Sequence, residues 1–221
     1  AKLDVKNGQV SGVLPRGGSP AVERSGENPM GNYIADLMRA KYKTDFVFLN
    51  GGGIRDTFPA KTFTPLDKTL VRPATSATGP YDVTVGDAMT VFPFGNSVST
   101  TTITGTLLWK ALENGVGGAY PADGRFPQIS GFKFTFDSTK PLGSRVVSVT
   151  KLDGTAIAKD ATVYTVATLD YVVQGGDGYV GVFSPATAKV RDLLVDVFIE
   201  AVKNAKTVTV PAADGRTKKV G

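Results

Sequence analysis

An apolar run, Phe46-Val47-Phe48-Leu49, stops at Asn50 and three consecutive glycines, Gly51-Gly52-Gly53, with Arg55 two residues further on. The run reads as the end of a buried strand. A chain that leaves a strand through three glycines has a bare main chain at that corner. No side chain screens its N–H and C=O groups, and positive φ is reached without strain. A ligand can approach such a backbone closely. Arg55 adds a planar five-donor cation suited to phosphate or carboxylate. The plainer alternative is a tight surface turn with a solvated arginine, and a short glycine motif alone does not choose between them.

Two more corners share this pattern. In Pro93-Phe94-Gly95-Asn96 the proline stiffens the chain and the glycine turns it, so Phe94 either stands outward on a rigid bend or plugs the local core. A third strand-like run, Val163 to Leu169, leads into Asp170-Tyr171-Val172-Val173-Gln174-Gly175-Gly176-Asp177-Gly178-Tyr179. There Asp177 caps a turn or accepts hydrogen bonds from two sugar hydroxyls. Pooled, the corners and the loop before the first helix offer Arg24 and Arg55, Asn50 and Asn96, Asp177, and the rings of Phe94 and Tyr171. That inventory fits a nucleotide. A flat base stacks between rings, worth about 1–3 kcal/mol per base. Amides read its edge, a carboxylate holds ribose hydroxyls and arginines meet phosphate.

Composition removes other chemistries. The chain has no histidine, which excludes a Ser-His-Asp triad, a histidine general base and any His-ligated transition metal. It has no cysteine, which excludes disulfides, thiol nucleophiles and thiolate metal sites and fits a secreted or periplasmic bacterial protein. Carboxylate-only calcium or magnesium sites remain open. The net charge of +5 is scattered, apart from Arg216, Lys218 and Lys219 in the tail at 211–221. It implies mild attraction for small anions, or simply solubility, and no basic stripe points to nucleic acid. No apolar run reaches membrane-spanning length, and no signal peptide opens the chain.

The 221 residues suit one α+β domain, a mixed sheet flanked by helices, covering 1–221. Strands are expected at 8–14, 46–49, 98–104, 128–136, 145–152, 163–169 and 207–210. Helices are expected at 30–42 (N-cap Asn28, then Pro29), 85–91, 105–114 with Trp109 and Lys110 away from the core, and 186–204. The last would be the longest, with Val190 and Leu193 facing inward. Residues 115–124 read as a glycine-rich loop with Tyr120 and Pro121. Residues 56–85, with four prolines, read as an irregular excursion with no element longer than one turn. Asp36 and Asp45 read as solvated carboxylates.

Met30-Gly31-Asn32, Asn50-Gly51-Gly52-Gly53-Ile54-Arg55, Pro93-Phe94-Gly95-Asn96 and Gly175-Gly176-Asp177-Gly178-Tyr179 occur in the order seen in the 5′-nucleotidase family. The chain from Arg24 to Tyr179 resembles the C-terminal, substrate-binding domain of that family, which includes UDP-sugar hydrolases and 2′,3′-cyclic phosphodiesterases. The resemblance implies a base clamp of Phe94 and Tyr171, the latter usually Phe. It implies a ribose carboxylate at Asp177, nucleoside contacts at Asn50 and Asn96, and phosphate-side cations at Arg24 and Arg55. Gly52, Gly53 and Gly124 would offer backbone contacts. The stretch 56–85 is longer than the family pattern, so the rim of the cleft is expected to differ.

The family's chemistry belongs to an N-terminal metallophosphatase domain holding two divalent metals. Nothing in this chain replaces it. The resemblance therefore implies the nucleotide-recognition half of a two-domain hydrolase, without catalytic residues, metal or cofactor of its own, in an extracellular, cell-surface or periplasmic setting. Its partners would be a nucleoside or nucleoside monophosphate and the N-terminal domain. Two other readings are a stand-alone surface-interaction module on the same fold and a thiohydrolase-like relative with a non-nucleotide substrate, which the two clamp aromatics oppose.

Overall fold

The run at 46–49 lies inside the main sheet, every residue of its strand buried. The structure, a computed structural model, describes residues 2–16, 22–118 and 123–221. Its elements are, in order, β1 (Lys6–Val10), α1 (Pro29–Tyr42), β2 (Phe46–Asn50), β3 (Tyr81–Thr84), α2 (Val85–Val91), β4 (Ser97–Thr104), α3 (Gly105–Val116) and β5 (Pro127–Ser130). There follow β6 (Phe132–Asp137), β7 (Val146–Lys151), β8 (Val163–Leu169), α4 (Asp170–Val173), β9 (Lys189–Leu193), α5 (Leu194–Ala205), β10 (Thr207–Val208) and β11 (Thr217–Val220).

The main sheet runs β5-β2-β8-β4-β9. Only its β2–β8 pair is parallel. Two three-stranded sheets, β10-β1-β3 and β11-β6-β7, are also mixed. The expected single α+β domain is thus built, with three mixed sheets among the described residues. Helix α1 packs on β2 and β5, and α5 packs on α1, α2 and β1. Phe198 of α5 meets the rings of Tyr33, Phe58 and Phe92 edge-on at 4.6–6.2 Å, which ties the helices to the core. Asn28 caps α1 as expected, its side chain accepting from the Gly31 N–H, with Pro29 first in the helix.

Several expectations are corrected. The strand expected at 128–136 is two, β5 and β6, in different sheets. Gly131 (φ 90) divides them, so close to Asp45 that a Cβ would fall 2.1 Å from its carbonyl oxygen. The helix expected from 186 begins at Leu194. The residues before it form edge strand β9, which pairs with β4 and leaves Val190 70% and Leu193 40% exposed. The longest helix is α1, at 14 residues. Strand β1 ends at Val10, and Leu14 makes only a single bridge to Phe58. Helix α3 continues to Val116, into the expected glycine loop, and Trp109 is half-buried with its indole N–H donating to the Ile157 carbonyl. Tyr120 and Pro121 lie outside the described residues, as do the glycines at 17–18.

The stretch 56–85 contains β3, and its irregular part is stitched down by polar groups. Buried Arg72 donates to both Asp87 carboxylate oxygens at 2.6 Å and to the carbonyls of Asp82 and Ala60. Asp87 also accepts from the N–H groups of Ala60 and Thr84. The basic tail is likewise anchored. Thr217–Val220 forms β11, and Arg216, 9% exposed, pairs with Asp36 and Asp214. Asp36 is therefore not a free carboxylate, and exposed Asp45 accepts from the Thr165 N–H and hydroxyl.

Candidate functional site

Strand direction gathers the three corners. β2 and β8 are parallel and finish at Asn50 and Leu169. Their antiparallel neighbours β5 and β4 begin at that same end, because Asn50 pairs with Pro127 and Leu169 with Val98. The segments leaving β2 and β8 and those entering β5 and β4 therefore converge on one end of the sheet. Ligand crevices of open α/β sheets lie in the corresponding place. Asn50 ends β2. Gly52, Gly53 and Arg55 follow it. Phe94 and Asn96 precede β4, Gly124 precedes β5, and Tyr171 and Asp177 follow β8. Arg24 arrives on the short 3-10 turn Val22–Arg24.

These ten residues line one cavity of about 560 Å³, a size that suits a small molecule. Phe94 is 58% and Tyr171 40% exposed, so neither ring plugs the core, and Gly95 turns the Phe94 bend at φ 66. The Arg55 guanidinium lies 5.6 Å from the Phe94 ring centroid, and its Nη1 donates to the Gly52 carbonyl at 3.3 Å. Asp177 is held at both carboxylate oxygens, by Asn50 Nδ2 at 2.7 Å and by the Tyr171 hydroxyl at 2.8 Å. Asn114 Nδ2 donates to the Asp177 carbonyl at 3.1 Å.

The glycine run works differently from the expectation that bare backbone awaits a ligand. A Cβ on Gly51 would fall 1.8 Å from the Glu23 carbonyl oxygen, and one on Gly52 2.9 Å from Gly124 Cα. Their N–H groups donate to Phe126 and Gly124 carbonyls at 2.7 and 2.8 Å. Two of the three glycines thus let the protein's own backbone approach, bringing Arg24 and Gly124 to the cavity. At Gly53 the nearest atom to a Cβ is 3.6 Å away, leaving room.

The sequence reading missed Glu23 and Arg16. Glu23 is fully buried, 2.9 Å from Arg16 Nε and 3.9 Å from Arg24 Nε. Burial pushes its carboxyl up, against the pull of its hydrogen bonds and the two arginines. Glu23 Oε2, Arg24 Nε and Asn50 Oδ1 are buried without hydrogen-bond partners among the described residues. Desolvation, then repulsion from Arg24 and Arg16, lowers the Arg55 pKa, so cationic charge is concentrated on this side of the cavity. Arg16 opens the run Arg16-Gly17-Gly18-Ser19-Pro20, and nothing in that local sequence marked it.

Among the described residues no three His, Cys, Asp or Glu side chains gather in a way that could hold a metal ion. The described residues therefore offer no cluster of ligands that fits a pair of divalent metals. A second cavity of about 510 Å³, walled by Pro59, Phe63, Pro65, Leu70 and Pro73, shares no residue with the first. The guanidinium on its wall, Arg72, is already committed to Asp87.

Residues 5–184 match the family model for the 5′-nucleotidase C-terminal domain. The chain belongs to that family. The trifunctional nucleotide phosphoesterase YfkN of Bacillus subtilis is 34% identical over 229 residues, covering 98% of the chain and 14% of YfkN. The cell wall protein Lmo0130 of Listeria monocytogenes is 31% identical over 188 residues, covering 81% of the chain and 22% of that protein. In three dimensions the 5′-nucleotidase precursor from Thermus thermophilus superposes with a TM-score of 0.78 at 29% identity, over 98% of the chain and 39% of the other. This 5′-nucleotidase C-terminal domain thus spans between 14% and 39% of these relatives. No helix among its described residues is long and apolar enough to cross a membrane.

Proposed function

We propose that the domain recognises the nucleoside part of a nucleotide for a metal-dependent phosphohydrolase whose reacting centre lies in another domain of the same protein, outside the cytoplasm. The observation that carries this is that residues from separate motifs, the two rings, the carboxylate, the amides and the arginines, line a single cavity. The base stacks between Phe94 and Tyr171, which supply most of the contact area. Asp177 takes the sugar hydroxyls, Asn50 and Asn96 orient the nucleoside, and Arg24 and Arg55 face the phosphate side. Family membership and the relative named a nucleotide phosphoesterase support this reading, and the relative named a cell wall protein supports the location. The two divalent metals would belong to the partner domain and supply activated water there. What this chain supplies is binding and orientation.

The test is calorimetric titration with adenosine, AMP and other nucleosides, alongside phosphate release with manganese or zinc added. Adenosine and AMP are expected to bind weakly, and Phe94→Ala is expected to cost about tenfold in affinity, from the loss of one stacking face. No phosphate release is expected. Turnover by the pure chain would overturn the division of labour. An absence of any nucleoside affinity would favour a surface-interaction module on the same fold.

A further inference from the structure

Tyr171 is the second residue of α4, and Asp177 stands six residues later, in the glycine turn that follows. The Tyr171 hydroxyl donates to Asp177 Oδ1 at 2.8 Å and accepts from the Asp177 backbone N–H at 3.2 Å. One phenol oxygen thus grips both the side chain and the main chain of the same residue. Asp177 needs a grip. It is a non-glycine residue at φ 53, ψ 26, the left-handed region, between Gly175 (φ 92) and Gly178 (φ 81).

The ring is fixed as well. A Cβ on Gly176 would fall 2.4–2.5 Å from three Tyr171 ring atoms, so the bare glycine backs the ring. A carboxylate has about four lone-pair sites. The Tyr171 hydroxyl takes one on Oδ1 and Asn50 Nδ2 takes one on Oδ2, which leaves one acceptor site on each oxygen. Two acceptors at carboxylate spacing match two adjacent hydroxyl donors.

We infer that Tyr171 is a positioning residue that sets sugar specificity: its hydroxyl locks Asp177 so that the cavity selects a vicinal diol, and rejects sugars lacking one of the two hydroxyls. The inference rests on the nucleoside reading above. The ring and the hydroxyl then have separable jobs. The ring is a stacking wall for any base. The hydroxyl holds the strained turn in the one setting where both remaining acceptors face the sugar. The Tyr171 hydroxyl also keeps its proton above the usual tyrosine range, first because it is bonded to the Asp177 carboxylate and then because of burial.

The experiment is titration of the wild-type chain, Tyr171→Phe and Tyr171→Leu with adenosine, 2′-deoxyadenosine and 3′-deoxyadenosine. Wild type is expected to prefer adenosine about tenfold, the scale of one hydrogen bond to a charged group. Tyr171→Phe is expected to lose most of the preference, its adenosine affinity falling toward that for the deoxynucleosides. Tyr171→Leu, without a ring, is expected to weaken all three ligands together. A second readout needs no ligand. The Tyr171 phenol titration, followed by the Cζ resonance of labelled tyrosine, is expected to move down toward the ordinary range in Asp177→Asn. Equal adenosine preference in wild type and Tyr171→Phe would overturn the inference while leaving nucleoside binding intact. Failure of every nucleoside to bind wild type would overturn the nucleoside reading and the sugar inference together, an outcome distinct from the first.

Discussion

Three adjacent glycines at the end of β2 have unequal duties. Gly51 and Gly52 are pressed against the Glu23 carbonyl and Gly124 Cα, while Gly53 has space. Gly51→Ala is therefore expected to force the Val22–Arg24 turn outward, at a cost of about 1–3 kcal/mol from overpacking against backbone that cannot yield. Because Arg24 rides on that turn, affinity for AMP is expected to fall more than affinity for adenosine. Gly53→Ala is expected to stay close to wild type in stability. Urea unfolding of both variants checks the contrast, and equal midpoints for the two would refute it. Phe94, Asp177 and Asn50 were legible because each sits in a short motif whose residue types announce their chemistry: a ring on a Pro–Gly bend, a carboxylate between glycines, an amide at a strand end, whereas Gly124 was suggested only by the family resemblance. Glu23 was not legible, because a buried acid between two arginines becomes a hub only when the fold closes over it.

At the level of elements, local signals were reliable where the chain carries its own stop and start. Helix α1 was legible because Asn28 and Pro29 set its beginning and the apolar positions repeat at helical spacing. The boundary between β9 and α5 was not. Val190, Leu193 and Leu194 fit a helical stripe, and only pairing with β4, a long-range event, draws Lys189–Leu193 into the sheet edge. The 128–136 run hid its break because Gly131 is small enough to pass for strand interior, and its need for φ 90 beside Asp45 appears only in three dimensions. The 56–85 stretch has no periodicity to read, since buried polar bonds hold it. Arg72→Ala is expected to cost about 3–5 kcal/mol, because it strands the Asp87 carboxylate in the interior without its cation. Denaturant unfolding measures this, and a loss under about 1 kcal/mol would show that the pair does not lock the stretch.

For the molecule as a whole, proton linkage sets the range of pH in which the fold holds. Burial pushes the Asp56 and Asp82 carboxyls up, but the first is outweighed by bonds from Thr62 and Thr57, and the second by Lys6, Val71 and Gln9. Both end below the usual carboxylate range. Asp214 is lowered by its bond to Arg216, and Asp192, more exposed, by Tyr42. The unfolded chain takes up protons on these groups near pH 4, before the folded chain does, so stability falls as pH drops through that region. Glu23 is raised and protonates earlier in the folded state, which offsets part of the loss. At the other end, Tyr33 and the fully buried Tyr179 are raised by desolvation, and Tyr171 mainly by Asp177. The unfolded chain loses its tyrosine protons near pH 10 while the folded chain keeps them, so stability falls again as pH rises past that point. Urea midpoints are therefore expected to be level from about pH 6 to 9 and to decline on both sides. Asp56→Asn is expected to be less stable at neutral pH and to lose less on acidification, since its share of the acid limb is gone. A midpoint for wild type that held steady down to pH 3 would show that these carboxylates are not held in their charged form by the fold, and would remove the linkage on which the acid limb depends.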